Sequence, residues 1–172
     1  PVSLEKCQDL GIRKVLDWSI AHPRYMNRLL KEEAKLLQVT PNNLVDEETA
    51  LAELEKADHV IVPSTFVLET FQQEQFPTQN FTVIPFGVDL RHFKPLPPRK
   101  AQGPLRIAAI SVSLRKGTYY VLEAVKQLKD KGCDLELYLF GDPDPNTQAL
   151  AEKYRPYIHH MGGVPHTELA EW

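Results

Sequence analysis

Leu105-Arg106-Ile107-Ala108-Ala109-Ile110-Ser111-Val112-Ser113-Leu114-Arg115-Lys116-Gly117 is the stretch whose reading decides the fold. From Leu105 to Val112 it is almost wholly apolar, as expected for a strand buried on both faces of a parallel sheet. A helix is predicted over 118–131, with Val121, Leu122, Val125 and Leu128 on one face and Gly132 at its stop. Leu135 to Phe140 reads as a second buried strand. Gly141-Asp142-Pro143-Asp144-Pro145 then turns the chain into a helix over 146–154. A weaker strand over 157–161 and a helix opening at Thr167 complete the pattern. Strand and helix alternating in this way argue for a parallel α/β sheet.

The same theme runs upstream. Arg13 to Trp18 is a short β-prone run after Gly11, and 24–37 places Met26, Leu29, Leu30, Ala34 and Leu37 at helical spacing. Asp46 is placed to cap a helix that buries Leu51 and Leu54, with Glu47 and Glu48 in the first turn where the helix dipole favours negative charge. His59-Val60-Ile61-Val62 reads as a strand, Ser64 as the cap of the next helix, and Thr82 to Pro85 as a further strand. From Lys94 to Pro104 the chain carries four prolines and almost no large apolar residue, which suits a stiff connector better than a core element. The expected division is therefore 1–93, a linker over 94–104, and 105–172. Each flanking part is expected to be a Rossmann-like parallel-sheet domain. The chain begins at Pro1 and stops at Trp172 inside an expected helix, so both domains are expected to be incomplete.

Composition excludes several classes. At 42% hydrophobic and 25% charged the chain has globular character, and a formal charge of -3 with mixed signs offers no basic stripe for nucleic acid. No apolar run approaches the roughly 20 residues that a membrane helix needs. Cys7 and Cys133 are far apart and fit no metal-ligand spacing, so a reducing, cytoplasmic setting is expected.

Ligands bind parallel sheets at the carboxyl ends of the strands, where helix starts present N–H groups to anions. Arg115 and Lys116 fall at such a place, and Gly117 would let the backbone come close. Two fixed positive charges there suit a diphosphate. Solvated surface charges give the same residues a bland reading. His22, before Pro23 and after the first strand, is a second candidate, with a loop histidine bonded to backbone as the alternative. His159 and His160 are adjacent on a strand and point to opposite faces, which argues against a shared metal.

Five segments in register resemble the retaining glycosyltransferases of family 4. They are Ala57-Asp58-His59-Val60-Ile61-Val62-Pro63-Ser64; Val83 to Asp89 with Phe93-Lys94-Pro95; Arg115-Lys116-Gly117 with Leu122-Glu123-Ala124; Leu137 to Asp142; and Met161-Gly162-Gly163-Val164-Pro165 with Glu168-Leu169. The resemblance covers roughly Ala57 to Trp172 and is looser before it. It implies two Rossmann-like domains of the GT-B type and transfer of a hexose from a UDP- or GDP-sugar to a hydroxyl of a glycan, lipid or small metabolite. Lys116 would contact the donor diphosphate with Arg115 beside it, the loop at Gly163 and Val164 would meet the nucleobase, and His22 would face the transferred sugar. No metal cofactor is implied.

The sequence departs from the family at Ser111-Val112-Ser113, where an arginine is often found. The donor-side glutamate pair would fall after Trp172 and an acceptor-side Gly-rich loop before Pro1, so the chain alone is expected to be inactive. A lipid-linked acceptor would imply loose membrane attachment, which no amphipathic basic helix supports. The alternatives are a nucleotide-sugar epimerase of similar architecture and a non-catalytic module that keeps the fold.

Overall fold

The computed structural model describes residues 2–94 and 103–170. The Cα positions divide the chain into two compact units: one runs to Lys35 and resumes over Asn43–Gly87, and the other comprises Leu36–Asn42 and the chain from Val88 onward. Residues 95–102 of the expected linker lie outside the described residues, as do the last two of the helix expected to reach Trp172.

The first unit contains α1 (Val2–Asp9), β1 (Val15–Asp17), α2 (Pro23–Leu36), α3 (Glu47–Lys56), β2 (His59–Val62), α4 (Thr65–Gln73) and β3 (Phe81–Val83). Its three strands are parallel in the order β1-β2-β3, with Leu16 opposite Val60 and Val60 opposite Phe81. Strand alternation puts Val60 and Val62 wholly out of water, against Leu54 and Ala57 from the α3 side and Val67 and Phe71 of α4. Burying a side chain the size of Phe71 stabilises by about 2–3 kcal/mol. The caps form as the sequence predicts: Asp46 accepts from Thr49 N, and Ser64 accepts from Val67 N at 3.2 Å. Leu29, at helical spacing with Leu30 and Ala34, is exposed, whereas Asn27 is buried, its amide donating to Val45 O and Glu47 Oε1. The third strand ends at Val83 rather than Pro85, although Ile84 N still donates to Val62 O. Helix α1 was not anticipated.

The second unit contains β4 (Leu105–Ile110), a 3₁₀ turn (Leu114–Lys116), α5 (Thr118–Asp130), β5 (Leu135–Phe140), α6 (Pro145–Lys153), a 3₁₀ turn (Arg155–Tyr157), β6 (Ile158–Gly162) and α7 (His166–Leu169). Its strands are parallel in the order β4-β5-β6. Leu122 and Val125 of α5 pack with Leu135, Leu137 and Leu139 of β5 and with Tyr154, while Ile107 and Ala109 of β4 close the cluster.

Here the sequence expectation needs correction. β5 is buried, but β4 is not buried on both faces: Leu105 is 65% and Ile110 58% exposed. β4 lies at the edge of the sheet, and among the described residues only its Ile107–Ala109 side meets the α5 core cluster. Gly132, at φ 81, ends α5 as anticipated. Residues Leu36–Asn42 fold with this unit, Asn146 Nδ2 donating to Thr40 O at 2.6 Å and Asn42 Nδ2 to Asp144 Oδ2 at 3.0 Å.

Candidate functional site

The second sheet ends in three backbone turns that follow one another along its carboxyl rim. After β4, Ser111 adopts φ 71, a left-handed conformation uncommon outside glycine, and donates its N–H to Phe140 O at 2.8 Å. After β5, Gly141 adopts φ 98 and donates to Gly162 O at 2.7 Å. After β6, Gly162 takes φ 69. The β4, β5 and β6 turns are thus tied in sequence, 111 to 140 and 141 to 162.

Beyond Ser111 the chain drops back into the core at Val112, and Ser113 begins the 3₁₀ turn that carries the two cations. Leu114 is buried beneath it, while Arg115 and Lys116 are exposed, with no ion partner among the described residues. Gly117, at φ 67, turns the chain from this 3₁₀ segment into α5. The amides of Lys116 and Thr118 reach Ser113 O, and that of Gly117 reaches Leu114 O. These three N–H groups are engaged inside the turn, and the exposed cationic side chains are the charges that would meet an anion here.

On the β6 side, Gly163 is exposed and Val164 half-buried. A Cβ on Gly162 or Gly163 would stand 3.9 Å from a carboxylate oxygen of Asp142. Arg115 and Lys116 therefore lie at one end of the rim, and Gly163, Val164 and Asp142 at the other, all on one sheet. Leu114 and Gly117 of this turn line a small hollow with Tyr119, Tyr120 and Thr147, which neither cation borders. His160 Nε2 lies 3.0 Å from Gly141 O, while His159 stacks on Tyr138 at 4.7 Å, so the two adjacent histidines part company. No cluster of three or more His, Cys, Asp or Glu suited to a metal occurs among the described residues.

Sequence reading missed three residues around the rim. Asp144 caps α6, accepting from Thr147 N at 2.9 Å. Burial opposes its charge, but hydrogen bonds from Asn42, Thr147 and the Asn146 amide outweigh that and hold its pKa below the usual carboxylate value. Thr147 and Thr118 are both buried polar residues. The Asp144-Pro145-Asn146-Thr147 run carried a readable cap signal, whereas nothing in sequence marks Thr118.

His22 belongs to the first unit and is 1% exposed. Its backbone N–H donates to Thr70 Oγ1 at 2.9 Å, and its ring lies edge-on to Phe71 at 4.9 Å. Arg24 N donates to Nδ1 at 3.3 Å, which leaves Nε2 as the protonated nitrogen of the neutral ring. Burial pushes its pKa below the ordinary histidine value, against an opposing pull from Glu74. The ring borders a concavity of about 360 Å³ shared with Arg24, Glu55, Glu74, Phe76 and Asn80. Phe93 packs edge-on against His166 at 5.0 Å in the second unit.

No protein-family model matches the chain. Over 107 residues, 58% of its length, it is 29% identical to a lipopolysaccharide 1,2-N-acetylglucosaminetransferase of Salmonella typhimurium strain LT2, of which it covers 28%. The crystal structure of TarM superposes with a TM-score of 0.52 at 13% identity, over 95% of this chain and 36% of TarM. The chain thus spans between a quarter and two fifths of the length of these proteins. TarM has the GT-B fold, and the two α/β units described above, each on three parallel strands, are of that type.

Proposed function

We propose that this chain forms part of a glycosyltransferase that moves a hexose from a nucleotide-sugar donor to an acceptor hydroxyl with retention of configuration, in the manner of family 4. The observation that carries the proposal is the pair of exposed cations, Arg115 and Lys116, at the carboxyl end of β4, on the same rim as the Gly162-Gly163-Val164 turn. The sequence similarity to a transferase of N-acetylglucosamine supports transfer rather than epimerisation.

In this reading the second unit holds the donor. Lys116, with Arg115 beside it, neutralises the diphosphate as the bond between the anomeric carbon and the diphosphate oxygen breaks. Charge that develops on the leaving group is stabilised by cations already in place, and no metal is required. The exposed backbone at Gly163 and Val164 meets the nucleobase. In the first unit, the Nε2–H of His22 would donate to a sugar hydroxyl. The acceptor belongs to the class of glycans, lipids or small hydroxylated metabolites.

Titration of the full-length protein with UDP and with GDP tests the donor half. One of the two is expected to bind saturably, and Lys116→Ala to weaken it about tenfold, the loss of roughly one charge-assisted contact. Equal affinity of wild type and Lys116→Ala would remove the proposal. A second reading, a non-catalytic module, is favoured by Ser111-Val112-Ser113 standing where the family often carries arginine. Release of free UDP or GDP from a panel of UDP- and GDP-sugars separates the two, since a module would bind donor without consuming it.

A further inference from the structure

The 3₁₀ turn that carries Arg115 and Lys116 takes its origin at Ser113, and the Ser113 side chain makes no capping bond. Besides the Lys116 amide, which reaches Ser113 O at 3.2 Å, what holds the Ser113 backbone is Thr118. Its hydroxyl oxygen accepts the Ser113 N–H at 2.9 Å and its proton is donated to Ser113 O at 3.0 Å. One hydroxyl can make both bonds at once, because it has one proton to give and lone pairs to receive. Thr118 is 4% exposed, so these are bonds sheltered from water. They close the two ends of the turn on each other across Gly117, whose left-handed conformation leaves this link with little intrinsic stiffness.

One residue earlier the same segment is held from behind. Val112 O receives the Asp144 N–H at 3.3 Å and lies 3.1 Å from the Thr147 hydroxyl. The turn is therefore pinned at its root by α6 and at its tip by the first residue of α5. Arg115 and Lys116 are both exposed, and neither side chain makes a salt bridge among the described residues.

We propose that Thr118 is a positioning residue: by locking the Ser113 peptide it sets the turn from which Arg115 and Lys116 project, and so preorganises them for a diphosphate. This rests on the diphosphate reading given above. Preorganised charge avoids an ordering cost on binding, and a loose turn would pay it each time.

The test is a double-mutant cycle in the full-length protein, read by titration of UDP and GDP, with uridine and guanosine as references that lack the diphosphate. Thr118→Val, which removes the hydroxyl at nearly constant shape, is expected to weaken the diphosphate about fivefold and to leave the nucleoside unchanged, while Thr118→Ser stays near wild type. In the Lys116→Ala background the effect of Thr118→Val should be smaller, because part of it runs through that side chain and the rest through Arg115. Thr118→Ala is the parallel variant should the valine protein not fold. Equal weakening of nucleoside and diphosphate, or an undiminished effect without Lys116, would overturn the positioning role. Loss on Lys116→Ala with Thr118→Val at wild-type affinity would reject Thr118 alone. No effect of Lys116→Ala would reject the diphosphate reading and this proposal with it.

Discussion

Gly141 lies against Ser111: a Cβ built on the glycine would stand 3.5 Å from the Ser111 Cα. The two residues are the exits of β5 and β4, and both leave their strands with positive φ. At that separation a methyl group would make an ordinary contact, so the space between the strands is not what demands glycine. The backbone angle is. Gly141→Ala is expected to cost about 1–2 kcal/mol through the left-handed region alone. Urea denaturation followed by a probe in the second unit checks this, and a change within a few tenths of a kcal/mol would show that the turn relaxes freely.

Ser64 caps α4 through a bond from Val67 N at 3.2 Å. Ser64→Ala should destabilise the first unit by about 1 kcal/mol, and Ser64→Asp should hold it near wild type, since an aspartate accepts the same N–H and meets the positive end of the helix dipole. Thermal melting of the three proteins makes the comparison. An alanine variant that melts with wild type would mean that water satisfies the N-terminus equally well.

Such caps explain why so much of the architecture could be read in advance. Asp46, Ser64 and Gly132 are local chemistry, and each does in the structure what its type dictates. The parallel order of β4, β5 and β6 follows from strands separated by helices. The half-exposure of β4 was not legible, because an apolar run does not say which of a strand's two faces is covered. Nor was the turn at Ser111, where a positive φ sits on a residue that does not announce it. Lys116 stood out because charge next to an apolar strand is visible. Thr118 did not, because a buried threonine is recognised only by what it touches.

Tyr154 is buried, and its hydroxyl donates to the Glu123 carboxylate from α6 toward α5. The bond to Glu123 is the main cause of a tyrosine pKa pushed up to about 12, and the same bond holds the Glu123 pKa below its usual value. Tyr154→Phe should cost about 1 kcal/mol at neutral pH. The signs differ at the two ends of the pH range. Folding favours the protonated phenol, so that contribution is complete below pH 10 and fades as pH rises toward 12. Folding favours the charged carboxylate, so that contribution is present above 4.5 and is lost as pH falls through the lowered value. The difference in stability between wild type and Tyr154→Phe should therefore be flat across neutral pH and shrink at both extremes. Equal stability of the two proteins at neutral pH would mean that the ring's packing, not the bond, holds the two helices.

His22 gives the last prediction, and it separates scaffold from chemistry. The ring is shielded by Phe71 and Phe76, and burial lowers its pKa from the model-compound value of 6.5. The folded state thus binds the proton more weakly than the unfolded chain does. Stability from this group is present above pH 6.5 and is lost as pH falls from there through the folded pKa. His22→Gln, which keeps a hydrogen-bonding side chain without a titrating ring, should flatten that acid-side loss. Its imidazole resonances in the wild-type protein should titrate below 6.5 when followed by NMR. Titration at or above 6.5 would mean that the ring is not shielded as the structure has it. If the acid-side loss flattens while nucleotide-sugar consumption by His22→Gln stays at the wild-type level, the histidine supports the fold of the first unit. If consumption falls at pH 8 while the variant melts at the wild-type temperature, the Nε2–H acts on the sugar.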